Sequence, residues 1–109
     1  MVAAAGAGPG HLSVAAGASG EGLRLAGEIT AVTRPVWREA LGRLTPCGPV
    51  VRLELSAVTF VDVAGMTELV MTAQGPLAGR RIVLLQPPPQ VPRLLEMFWP
   101  TMTGIEVEG

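Results

Sequence analysis

Catalysis by side chains needs a nucleophile, a base and a group to orient them, all brought to one place. This chain has little to bring together: one His (His11), one Cys (Cys47) and one Asp (Asp62) in 109 residues. Those counts exclude disulfide frameworks, His/Cys zinc sites and Ser/His or Cys/His catalysis within one chain. With Asp62 the sole aspartate, most metal–carboxylate clusters go too, and no cofactor is expected. His11 is read as solvated and Cys47, in TPCGP, as a loop thiol. GAGPG (6–10) superficially resembles a phosphate loop, but no strand precedes it and no Lys follows. The remaining chemistry is recognition, and it centres on Asp62 within LELSAVTFVDVAGMTEL (53–69). There a strand ends, a short apolar loop follows, and Asp62 precedes Val-Ala-Gly at a helix start. An Asp at that point accepts the N–H of Ala64 or Gly65, and its charge suits the helix dipole. Gly65 is expected to leave the helix start uncovered, so that another molecule can approach the backbone.

Charge narrows the partner class. Eight basic residues, all Arg, face nine acidic ones for a net charge of -1, so no nucleic-acid footprint is expected. Mean hydropathy is positive, +0.44, yet every apolar stretch is broken well short of the ~20 residues a span needs. No membrane insertion is expected. The opening MVAAAGAGPGHLSV has no basic residue before its small-residue run, which makes it a poor signal peptide and a cytoplasmic protein the default. The absence of Lys and Tyr, with abundant Ala, Gly, Pro and Arg, looks like a GC-rich bacterial genome.

The elements that must hold Asp62 follow from periodicity. Residues 1–10 are Ala/Gly/Pro and are read as a flexible segment, leaving 11–109 as one domain. Apolar runs at 12–16 and 23–26 flank GASGEG and predict an antiparallel hairpin. Residues 30–44 read as a helix capped by Thr30 or Thr33, with Pro35 in its first turn and Val36, Trp37, Ala40, Leu41 and Leu44 on a buried face. TPCGP breaks it. Residues 50–55 read as a central strand, with Arg52 and Glu54 on a face that meets solvent or a partner. A second helix over 63–72 spaces Val63, Met66, Leu69, Val70 and Ala73 as a stripe. Arg81–Leu85 is a further strand. After a Pro87–Pro89 connector comes a third helix over 90–99, with Pro92 in its first turn, and then a short closing strand at 105–107. The order β-β-α-β-α-β-α-β predicts a small α/β domain, a mixed sheet packed by about three helices, with right-handed crossovers.

LRLAGEIT (23–30), LELSAVTFVDVAGM (53–66) and GRRIVLLQPPPQVPRLLEM (79–97) resemble, in order and spacing, the STAS domain of bacterial anti-sigma factor antagonists and of sulphate-transporter tails. The resemblance runs over about 12–107. It implies a non-enzymatic domain that docks on a protein partner, often an anti-sigma or serine-kinase-like protein, through the turn at Asp62. On that account Thr59, Phe60, Asp62, Val63, Ala64, Gly65, Met66 and Glu68 form the expected contact set. As a bare residue, Asp62 is also a simple cap, Met66 ordinary core, and Thr59 and Glu68 solvated surface. A second implied role is an accessory or scaffold subunit of a transporter ATPase or signalling complex.

Two departures from the family pattern stand out. Phospho-switched members carry Ser or Thr directly after the Asp, and here that position is Val63, followed by Ala64. Family members often add a helix after the last strand, whereas this chain stops at Gly109 just past IEVE. An apolar sheet or helix surface is then expected to stay open, favouring self-association as a homodimer. Among the aromatics, Trp37 is expected in the core, while one of Phe98 and Trp99 is a candidate exposed anchor. The PPP run is read as a rigid connector rather than a ligand for an aromatic groove. Mass spectrometry after co-expression with kinases encoded nearby should find no phosphate within residues 56–67.

Overall fold

A computed structural model describes residues 10–17 and 22–109. The expected flexible segment, apart from Gly10, and the hairpin turn at 18–21 lie outside the described residues. Five strands and three helices follow one another: β1 Leu12–Ala16, β2 Gly22–Ile29, α1 Arg34–Gly42, β3 Val50–Val61, α2 Val63–Gln74, β4 Arg81–Leu85, α3 Gln90–Phe98 and β5 Ile105–Glu108. The sheet runs β1-β2-β3-β4-β5 in space. β1 and β2 pair antiparallel; every later neighbour is parallel. The expected α/β architecture and element order are therefore present.

Each of the three crossovers carries one helix and steps one strand in the same direction. Right-handed crossovers repeated in one direction place all their helices on one face of the sheet. Accordingly a single core joins Leu25, Val51, Leu53, Leu55, Ile82 and Leu84 from the strands to Trp37, Leu41, Met66, Leu69 and Val91 from the helices. The other sheet face alternates out of phase with that set and carries charge. Arg24 lies 3.7 Å from Glu54, and Arg81 lies 2.7 Å from Glu106. Parallel sheets are usually covered on both sides; here the uncovered side is charged rather than apolar.

Several boundaries differ from the sequence reading. β3 does not stop at Leu55 but runs to Val61, so Thr59 and Phe60 belong to a strand rather than a loop. Its pairing with β2 shifts register twice, opposite Arg24/Ala26 and opposite Gly27/Glu28. Each shift inserts an extra residue into β3 and resets the alternation, which is why the buried positions there are Leu55, Val58 and Val61, three apart. Such spacing does not look like a strand in one dimension. At the second irregularity Gly27 has φ +121°, and a Cβ there would stand 2.1 Å from the His11 carbonyl oxygen. α1 starts at Arg34, not at residue 30, because Thr33 turns its hydroxyl backward. That hydroxyl donates to the Glu28 carbonyl at 2.7 Å and accepts from the Thr30 N–H at 2.9 Å, and it makes no cap bond. Val36, expected in the core, is exposed, while Leu44 is buried just beyond the helix end. No helix among the described residues is long and apolar enough to cross a membrane.

The last strand is tied to β4 by Arg81, whose Nε and Nη2 donate to the two Glu106 oxygens at 2.7 and 2.8 Å. The hydrogen bond from Arg81, with the guanidinium's charge, holds the Glu106 carboxyl below its ordinary range against an opposing desolvation. A carboxyl depressed in the folded state stabilises the fold above its unfolded value, and the contribution is lost as pH falls through the folded value. Acid unfolding followed by circular dichroism should thus show the thermal midpoint of the natural chain falling below about pH 4. Glu106→Gln should lower the midpoint at neutral pH and flatten that acid step.

Candidate functional site

The site is the turn where β3 hands over to α2. Asp62 is extended, φ -92° and ψ 175°, and its Oδ1 accepts the Gly65 N–H at 2.7 Å. Its own N–H donates to the Ile29 carbonyl at 3.1 Å, tying the turn to the end of β2. The cap therefore satisfies one of the four free amides of the helix start and sets a negative charge at its positive end. The residue after it, Val63, begins α2 and is 43% exposed; Phe60, just before the turn, is 40% exposed.

Gly65 does not open the backbone to a visitor, as the sequence had led us to expect. It is buried, and a Cβ on it would sit 2.6 Å from Ile29 Cγ2 and 3.3 Å from Asp62 Oδ1. The indole Nε1 of Trp37 donates to its carbonyl at 2.9 Å in the interior. The glycine admits the protein's own β2 and α1, not a partner. Met66 is likewise core, 1% exposed, because it points down the stripe that packs on the sheet. Gly65 and Met66 thus leave the expected contact set. Ala64 is half-buried. Thr59 is exposed, its hydroxyl donating to the Gly27 carbonyl at 3.3 Å. Glu68 takes Arg38 at 2.9 Å, and its hydrogen bond raises the Arg38 guanidinium above its ordinary value.

What the turn does face is a cleft of about 290 Å³. Phe60, Val61, Asp62 and Val63 form one wall, and Gln90, Arg93, Leu94 and Met97 of α3 form the other. The α3 residues were not singled out by sequence. Their 90/93/94/97 spacing is one helical stripe, but only the placement of α3 beside α2 makes that stripe part of the site. Its polar groups, one carboxylate, one guanidinium and one carboxamide, are set in hydrocarbon. Such a surface can bind by burial and charge. A larger cleft, about 660 Å³, lies near the start of β4, lined by Gln74, Arg80, Arg81, Trp99 and Thr103 among others. Its cations are already engaged, Arg80 with the Thr45 and Gly48 carbonyls and Arg81 with Glu106.

A family model described as "Mlab, STAS domain" matches residues 12–98, which include both walls of the turn cleft. The chain belongs to the STAS domain family. Among solved structures this STAS domain is similar to an anti-sigma factor antagonist from Mycobacterium paratuberculosis. The TM-score is 0.69 at 22% identity, over 83% of this chain and 80% of that one; at that identity the likeness shows a shared fold. No curated protein matches the sequence.

Of the two aromatics near the end of α3, Phe98 is the more open at 51% exposed, while Trp99 packs partly against the core. Trp37 is 1% exposed. The tight fit at Gly65 of this STAS domain is directly testable. Gly65→Ala gains helix propensity of about 1 kcal/mol but forces a methyl onto Ile29, an overpacking that costs typically 1–3 kcal/mol. Urea unfolding should show a net loss of stability, and pairing the change with Ile29→Ala should recover part of it as a positive coupling.

Proposed function

We propose that this STAS domain is a non-enzymatic docking module of the anti-sigma factor antagonist type. It holds an anti-sigma or serine-kinase-like protein against the Asp62 turn. The observation that carries the reading is Val63: an exposed branched hydrocarbon on the first turn of a helix whose amides and position are fixed by Asp62, Ile29 and Trp37. An apolar residue held rigidly at a surface binds without a large loss of side-chain entropy on docking. Phe60 and the partly buried Ala64 extend the same patch, and Thr59 with Glu68 forms its polar rim.

Val63 also bears on regulation. A phosphate added at this position would bring about -2 charge beside Asp62 and disrupt docking by repulsion and desolvation. Valine has no hydroxyl to accept one. Thr67 is the nearest hydroxyl on α2, and it already donates to the Val63 carbonyl at 2.9 Å. Binding through this turn is therefore constitutive, and control of the complex falls to the partner or to synthesis of either protein.

The test is size exclusion and calorimetry with the anti-sigma- or kinase-like protein encoded beside the gene. The natural chain should form a stable complex. Val63→Arg should weaken it by about 2 kcal/mol or more, roughly 30-fold, with an unfolding free energy within about 0.5 kcal/mol of the natural chain because the side chain is at the surface. No complex with the natural chain, or one indifferent to Val63→Arg, would refute the reading.

A further inference from the structure

We infer that the cleft between the start of α2 and α3 receives an amphipathic α-helix of the protein partner, one with an apolar stripe and a carboxylate that meets Arg93. This rests on docking through the Asp62 turn and says what kind of segment docks there. Three of the large hydrophobic side chains left exposed, Phe60, Val63 and Met97 (63%), come from separate elements and line this one cleft. Leu94, half-buried, lines the same cleft.

Charge selects the partner's chemistry. Arg24, Arg38, Arg43 and Arg81 each reach a carboxylate; Arg93, at the lip of the cleft, has none among the described residues. Asp62, the carboxylate that lines the cleft among the described residues, accepts the Gly65 amide at Oδ1 and makes no ion pair with Arg93. The cleft is therefore largely apolar, with one guanidinium that no carboxylate reaches among the described residues, and the segment that answers Arg93 is apolar and acidic. The Gln90 Oε1 is buried with no hydrogen-bond partner among the described residues.

Backbone requirements select a helix. An extended segment in an apolar cleft needs a strand edge to take its amides and carbonyls. β4 pairs with β3 only as far as Glu54↔Leu85, which leaves the upper part of β3 as the nearest edge, but that part is bulged twice. Bulges blunt an edge against strand addition. A helix brings its backbone already bonded and seats its side chains between two helices.

The experiment selects displayed helical peptides against the intact chain and measures the affinity of the winners. Winners should be amphipathic, with apolar residues three and four apart and a flanking Asp or Glu. Met97→Arg should weaken them at least about tenfold. Arg93→Glu should do so comparably, and exchanging the peptide's carboxylate for Lys should restore binding to that variant. Amide shifts of the natural chain on titration with the peptide should map to 60–64 and 90–97, a readout that does not depend on either variant folding. Winners that are basic or that add as a strand, shifts elsewhere, binding of anionic vesicles through Met97, or a dimer dissolved by Met97→Arg would each overturn the inference. If the complex with the genomic neighbour is lost on Val63→Arg but untouched by Met97→Arg and Arg93→Glu, the helix-in-cleft inference falls while docking at the turn stands.

Discussion

Three elements meet at Gly65, and they meet only because it has no side chain. Ile29 from the end of β2 fills the space a Cβ would need. The Trp37 indole of α1 donates into the same helix turn. Asp62 closes it from the chain side, accepting the Gly65 amide. The start of α2 is thereby pinned to the sheet and to its neighbouring helix at once. Everything attributed to the turn depends on that pinning, since Val63 is a useful contact only if its position is settled before a partner arrives. The same packing removes Gly65 and Met66 from the surface, so the rigid part of the site and its exposed part are adjacent residues with opposite duties.

The rest of the architecture follows from handedness and direction. Crossovers that all step one way leave one sheet face to three helices and the other to water. The watered face is made tolerable by charge, with Arg24, Glu54, Arg81 and Glu106 paired across strands. Of the large apolar side chains that remain exposed, Phe60, Val63 and Met97 converge at the carboxyl end of β3. Crevices outside the carboxyl ends of parallel strands are where α/β sheets generally bind, because the loops there are free of the sheet's own pairing.

Much of this was legible in one dimension, and the exceptions have physical causes. The helices, the alternation of strands with helices and the Asp62 cap are local matters: apolar spacing, Pro in first turns, a carboxylate before a helix. The upper half of β3 was misread because two bulges give Leu55, Val58 and Val61 a three-residue spacing that resembles neither a strand nor a helix. Val36 alone left the expected buried face, since Trp37, Ala40, Leu41 and Leu44 are in the core as read; α1 begins four residues late because Thr33 has committed its hydroxyl to the Glu28 carbonyl. Gly65 was read as an opening when it is a close contact; a glycine at a helix start looks the same from the sequence whichever molecule approaches it.

By itself the sequence determined the family resemblance, the element order, the single His, Cys and Asp and the missing hydroxyl at residue 63, because each is a property of residue types and short spacings. Only the tertiary structure decided that Gly65 is a close contact, that Arg93 and Met97 of α3 stand across the cleft from Val63, and that the open sheet face is charged. Those facts depend on contacts between residues some 30 apart in the chain, such as Trp37 with Gly65 (28 apart) and Arg38 with Glu68 (30 apart). Such contacts are set by how whole elements pack, and a window of neighbouring residues carries no record of them.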